Sequence, residues 1–217
     1  MTGGDILWCK HCEKESLNEI CEMCGNATEI DIPIGAYWCY ECNVPIIHKV
    51  TDRDKDICPL CGGKTKYLCS DLRPVFPEER LLYEILVGKP FAYKKCSVWA
   101  NNNRYYIDGE SKILSMSKYV KKDTDEIKKK LDELAEQNNY EEFDRYIELF
   151  IKANKLRLDY IINEAHAFIQ EQAAKYPRES IVLSFSGGKD STVTADLAVK
   201  ALSDASLVHI FGDTTLE

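Results

Sequence analysis

Eight of the chain's ten cysteines fall into four Cys-x-x-Cys pairs: Cys9/Cys12, Cys21/Cys24, Cys39/Cys42 and Cys58/Cys61. A Cys-x-x-Cys turn aims two thiolates at one point, and two such turns close a tetrahedral sulfur cage around a metal ion. Taken in order, the pairs form Cys9-Cys12-Cys21-Cys24 and Cys39-Cys42-Cys58-Cys61. Spacing alone leaves a crossed arrangement open, with Cys21/Cys24 joined to Cys39/Cys42. Gly25, Gly62 and Gly63 follow pairs at points where a knuckle needs unusual backbone angles. Zinc is the expected ion at both sites and an iron–sulfur cluster is the alternative, because four cysteines hold either. His11 and His48 lie nearby, but each site already has four sulfurs. Cys69 and Cys96 fall outside the pattern and read as small buried hydrophobes.

A second chemistry sits near the other end. Ile181-Val182-Leu183-Ser184-Phe185 is an apolar, β-like run that enters Ser186-Gly187-Gly188-Lys189-Asp190-Ser191. Helical spacing resumes through Val193, Leu197, Ala198, Ala201 and Leu202. A strand, a glycine turn and a helix make a phosphate cradle. Bare glycines let backbone N–H groups approach oxygen atoms, and the helix amino terminus adds partial positive charge. Ser186 and Ser191 offer hydroxyls, and Lys189 offers a compensating cation. A second apolar strand, Leu207 to Phe211, ends at Gly212-Asp213-Thr214, and ligands bind at such carboxyl ends in open α/β sheets. The spacing is not that of a Walker loop, and an aspartate follows the lysine.

Ser-Gly-Gly-x-Asp-Ser resembles the PP-loop of the ATP pyrophosphatase superfamily. Ser184 to Ser191 together with Gly212-Asp213-Thr214 looks most like the phosphoadenosine phosphosulfate (PAPS) reductase branch. The resemblance covers residues 180–217, and the amino-terminal knuckles are similar to extensions on archaeal-type members. It implies an adenine nucleotide, PAPS or ATP, held by Ser184, Ser186, Gly187, Gly188, Lys189, Asp190, Ser191 and Asp213, with magnesium if the nucleotide is ATP. It implies thiol-dependent reduction of a sulfonucleotide to sulfite, with a thioredoxin-like donor. The alternatives are an adenylating, ATP-dependent sulfurtransferase acting on RNA or DNA, and a non-catalytic metal- and nucleotide-binding module of a larger assembly. No catalytic residue is assigned, because the last cysteine is Cys96.

These residues need elements to position them. The expected fold is α/β, the start of an adenine-nucleotide alpha-hydrolase-like, doubly wound parallel sheet. It is preceded by two zinc knuckles (residues 1–68), a small basic α+β unit (69–120) and a helical segment (121–178), with the first βαβ unit at 179–217. One such unit falls short of the five or so strands of a doubly wound sheet, so a missing segment or partner chain is expected to complete it. In the middle, Glu78 to Val87 has helical spacing. Ser97–Ala100, Tyr105–Ile107 and Ser111–Leu114 read as strands, the last two joined by an Asp108-Gly109 hairpin. A helix starts at Asp123, and a longer one is expected from about Glu141 to Lys175, with Asn154 within its inner stripe.

Composition bounds the remaining choices. Of 217 residues 45% are hydrophobic and 29% charged, which is globular composition. No apolar run approaches the roughly 18 residues of a membrane span, and Met1 to Leu7 lacks the pattern of a secretory signal. Unexported cysteine pairs fit a reducing, cytoplasmic setting. The net charge is −8, which gives no general nucleic-acid coat. Residues 71–122 alone are basic. Their Lys94, Lys95, Arg104 and Lys112 interleave with Tyr93, Trp99, Tyr105 and Tyr106, so nucleic acid is a candidate partner for residues 89–122.

Overall fold

A computed structural model describes residues 7–29, 33–114, 124–137 and 140–212. The chain is mixed α/β and divides into two units, Met1–Asn154 and Lys155–Glu217. The division falls inside the segment expected to be one helical region.

The first unit begins with the hairpin of β1 (Leu7–Cys9) and β2 (Lys14–Ser16). Next come β3 (Ile34–Cys39), β4 (Val44–Lys49) and β5 (Thr65–Cys69), an antiparallel sheet ordered β4-β3-β5. The segment after β5 forms β6 (Arg73–Pro74), and Pro77 then opens helix α1 (Pro77–Leu86) at the position where its missing N–H costs nothing. Strands β7 (Val98–Asn101), β8 (Arg104–Ile107) and β9 (Glu110–Ile113) complete a four-stranded sheet with β6. The Asp108-Gly109 turn appears as expected, with φ of 49° and 83°. Only glycine fits its second position, because a Cβ on Gly109 would lie 2.7 Å from the Trp38 ring.

Helix α2 (Thr124–Ala135) sets Ile127, Leu131 and Leu134, spaced to share one face, against Leu81 and Ile85 of α1. Helix α3 (Glu141–Ala153) packs Tyr146, Leu149 and Phe150 on β3, β4 and the cysteines beside them. The long helix expected from Glu141 to Lys175 is in fact broken at Asn154. Its buried side chain accepts the Ile47 N–H (2.6 Å) and donates to the Pro45 carbonyl (2.9 Å), both on the edge of β4. The residue counted as part of a helical stripe is a strand clamp.

The second unit contains α4 (Lys155–Ala173), a short 3₁₀ turn at Arg178–Ser180, β10 (Val182–Phe185), α5 (Lys189–Leu202) and β11 (Val208–Phe211). Strands β10 and β11 are parallel, in register from Val182↔Val208 to Phe185↔Phe211. The strand–turn–helix–strand order is the one the sequence predicts. None of the described helices is long and apolar enough to cross a membrane.

Candidate functional site

The cysteines assemble in sequential order, not crossed. Cys9 Sγ lies 3.5 Å from Cys24 Sγ, and Cys12 Sγ lies 3.8 Å from Cys21 Sγ. In the second set the Cys39–Cys61 and Cys42–Cys58 separations are 3.5 and 3.8 Å. Within each set the four sulfurs lie within 4.8 Å of one another. Four sulfurs at about 2.3 Å from one zinc stand roughly 3.8 Å apart, so each tetrad has the dimensions of a cage for a single ion. A multi-iron cluster distributes its cysteine sulfurs over different irons and so spreads them more widely.

Both cages are built alike. The first pair closes a hairpin, and the second pair ends in a glycine with φ of 72°, Gly25 or Gly62. The N–H of that glycine donates to the carbonyl of Cys21 (2.8 Å) or Cys58 (2.9 Å). Backbone amides also donate to sulfur, from Cys42 to Cys39 at 3.4 Å and from Gly63 to Cys61 at 3.3 Å.

The thiol chemistry fits a cation. Contact with Cys24, then burial, pushes the Cys12 thiol up to about 12. The amides of Met23 and Cys24 pull Cys21 down to about 7. Burial pushes Cys39 up to about 11 and raises Cys42 as well. Cys12, Cys39 and Cys42 are thus held as thiols until a metal supplies positive charge, while Cys21 yields its proton more readily. Neither histidine joins a cluster: His11 is exposed, and Nδ1 of His48 faces Asp52 at 3.3 Å. Cys96 is no thiolate, since burial and Asp108 push it up to about 12.

In the second unit the loop lies where β10 delivers it. Ser184 is an exposed residue of β10, and Phe185 ends the strand opposite Phe211. Gly187 takes a φ of 79°, which lets the chain reverse into α5. Gly188 caps α5 in extended geometry and has no side chain to occupy the first helical amides. Those amides are free for an anion. Ser191 and Thr192 donate their hydroxyls to the Gly188 carbonyl, each at 2.9 Å. Ser186 Oγ lies 3.2 Å from Ser191 Oγ and accepts the Gly188 N–H at 3.4 Å. Lys189 and Asp190 stand exposed in the first turn of the helix.

The space over the loop is open. A Cβ on Gly187 would meet nothing within 4 Å, and one on Gly188 only Ser186 Oγ at 3.5 Å. Seven of the eight residues expected to bind nucleotide therefore gather at the end of β10 and the start of α5. The eighth, Asp213, lies outside the described residues. Thr192, not singled out from sequence, belongs to the loop's internal bracing; a hydroxyl residue directly after Ser191 was the available signal.

The middle unit does not supply the stacking surface that its composition suggested. Trp99, Tyr105 and Tyr106 are buried, and Tyr93 is half-buried. Lys94 lies over the Phe91 ring at 4.4 Å and donates to the Gln137 carbonyl at 3.1 Å. Arg104 donates to Ser111 Oγ at 3.2 Å. The interleaved aromatics are core residues, and two of the basic groups are engaged within the fold.

Residues 161–212 match the family model of NAD synthase. Over 48 residues the chain is 46% identical to a Caenorhabditis elegans protein named "Probable FAD synthase". That stretch is 21% of this chain and 9% of the relative, so the chain spans less than a tenth of the relative's length. No solved structure matches. The family-model match includes the whole Ser186–Ser191 loop with both flanking strands. These matches give no support to the PAPS reductase branch in particular.

Proposed function

We propose that the second unit binds the phosphates of ATP on Ser186 to Ser191, and that each cysteine tetrad of the first unit holds one structural zinc ion. The carrying observation is the glycine turn at the carboxyl end of a parallel strand pair, with Gly187 at a φ of 79° and an uncapped α5 behind it. Both names found by comparison, NAD synthase and FAD synthase, denote makers of adenine dinucleotides, which favours ATP.

The proposed reaction class is adenylation. An acceptor oxygen attacks the α-phosphorus of ATP, the bond to the leaving oxygen breaks, and pyrophosphate departs. The first amides of α5, Lys189 and the Ser186 hydroxyl stabilise the negative charge collecting on that leaving group. Asp190 is the carboxylate of this turn available to magnesium, which shields phosphate charge when bound. Exposed Val208, Ile210 and Phe211 on β11 are the surface that the remainder of a doubly wound sheet would cover. Zinc supplies folding energy to the knuckles.

Sulfonucleotide reduction is kept as the second reading because the Ser184-to-Ser191 motif resembles that branch. It needs a thiolate, and all ten cysteines precede residue 97.

Calorimetric titration with ATP, AMP and PAPS, with and without magnesium, separates the two readings. Magnesium-dependent ATP binding is expected, and Lys189→Ala should weaken it about tenfold or more, the scale of one charge-assisted bond. Gly188→Val should abolish it while leaving the fold intact, because only Ser186 Oγ lies near a Cβ there. Magnesium-independent binding of PAPS in preference to ATP would favour the reductase. Unchanged affinity in both variants would remove the loop from consideration.

A further inference from the structure

The first ribbon carries an apolar surface that the metal cage does not use. Leu17 is 80% exposed, Ile20 61% and Met23 69%. Single exposed apolar residues are ordinary, but three within seven positions of a small ribbon are not. Leu17 and Met23 also line one cavity of about 450 Å³, together with Cys21. Binding pockets fall in a range of roughly 300–1,000 Å³. Met23 adds a flexible, polarizable thioether of the kind that adapts to incoming side chains.

The rim specifies the sign of the partner. Glu15, Glu22 and Lys14 line the same cavity. Asn18 donates to Glu22 and so holds that carboxylate in place. Over residues 7–29 two lysines face five glutamates, and Lys10 is paired with Glu29 at 2.6 Å. The field over the apolar patch is therefore negative, which repels phosphate and attracts ammonium and guanidinium groups.

We propose that the Leu17–Met23 face of the first ribbon docks a short segment of another protein. That segment presents a bulky apolar side chain into the cavity between flanking lysines or arginines. The apolar anchor supplies affinity, and the acidic rim supplies orientation and association rate.

The test uses the full chain loaded with zinc and a fluorescent twelve-residue peptide with a leucine stripe flanked by lysines. Controls are the same peptide with glutamate for lysine, a twelve-nucleotide single-stranded DNA, and phosphatidylserine vesicles. The lysine peptide should bind and the three controls should not. Leu17→Ser with Met23→Ser should weaken binding about tenfold or more, as loss of two buried apolar side chains predicts. Glu15→Lys with Glu22→Lys should weaken it comparably and remove its salt dependence. All four positions are exposed, so unchanged zinc content is expected in both variants.

Peptide binding that neither variant alters would overturn the proposal. So would binding of the DNA or the vesicles that the apolar variant abolishes, because the face would then belong to nucleic acid or membrane. Self-association abolished by the same variant would assign it to a second copy of this chain.

Discussion

The two cysteine tetrads share a local plan and differ in their surroundings. In the first, the hairpin of β1 and β2 is tied to its second pair through the Trp8–Glu29 bridge, with N···O distances of 2.6 and 2.8 Å, and Leu17 and Met23 stay in solvent. In the second, Cys39 and Cys58 are buried in one cluster with Val44, Ile46, Tyr146 and Ala153. Asn43, beside Cys42, donates to Asp108 (2.6 Å) and to the Tyr146 hydroxyl (3.3 Å). One ribbon is an appendage and the other is the centre of a core. Ligand spacing determines that a metal binds, and the neighbouring apolar and polar side chains determine how much of the fold depends on it.

Breaking one cage at a time gives the largest expected contrast. Cys58→Ser should cost one zinc equivalent and the cooperative unfolding of the first unit beyond the first ribbon. Structural zinc contributes about 10–16 kcal/mol of apparent binding energy in small peptides, as much as a typical domain's entire stability. Cys21→Ser should also cost one equivalent but melt only the first ribbon. Near-ultraviolet dichroism reports this, because Trp8 is buried in the first ribbon while Trp38 and Trp99 are buried in β3 and β7, so Cys21→Ser should lose only the Trp8 share. Equal loss of that signal in the two variants would end the comparison.

A smaller effect tests the attachment of the second ribbon. Asn154→Ala leaves the Ile47 N–H and the Pro45 carbonyl without their partner on the edge of β4. A fully buried orphan costs about 1–3 kcal/mol and the half-buried Ile47 N–H about 1, so the first unit should lose about 2–4 kcal/mol of stability, read as a lower urea midpoint. Asn154→Asp keeps the acceptor and loses the donor, and should fall between. The first ribbon's zinc should be retained throughout.

Much of this was legible in the sequence, and the exceptions share a cause. Cysteine spacing gives the cages, Asp108-Gly109 gives the hairpin, and Ser186 to Ser191 between two apolar runs gives the loop. Hydrophobic periodicity gives α1 but misses two of its most buried residues, Arg80 and Glu84. Glu84 accepts the Tyr93 N–H (2.9 Å) and the Tyr140 hydroxyl (2.7 Å), and Arg80 donates to the Cys96 carbonyl (3.1 Å). Burial and the Glu84 bond raise the Tyr140 hydroxyl far above its ordinary value, so it stays a donor. A charged side chain is buried when distant backbone groups satisfy it, and no local pattern records those partners. The break at Asn154 and the inward tyrosines of the middle sheet were missed for the same reason.

The sharpest form of the comparison is a single substitution at equivalent positions. Glu13 and Asn43 each follow the second cysteine of a hairpin pair and precede the next strand, with φ of 52° and 58°. This left-handed geometry costs a residue with a Cβ about 1–2 kcal/mol, and asparagine bears it better than glutamate. Glu13→Gly removes the strain together with an exposed side chain. Glu13→Gly should thus stabilise the first ribbon by up to about 1 kcal/mol, the larger backbone entropy of unfolded glycine offsetting part of the gain. Asn43→Gly relieves less strain and loses both side-chain bonds to Asp108 and Tyr146, so it should destabilise the second ribbon by about 1 kcal/mol. Zinc retention against a competing chelator, measured for each site, reads both effects. The same replacement carries opposite signs in the two ribbons because one position holds only its own turn, while the other also holds the core.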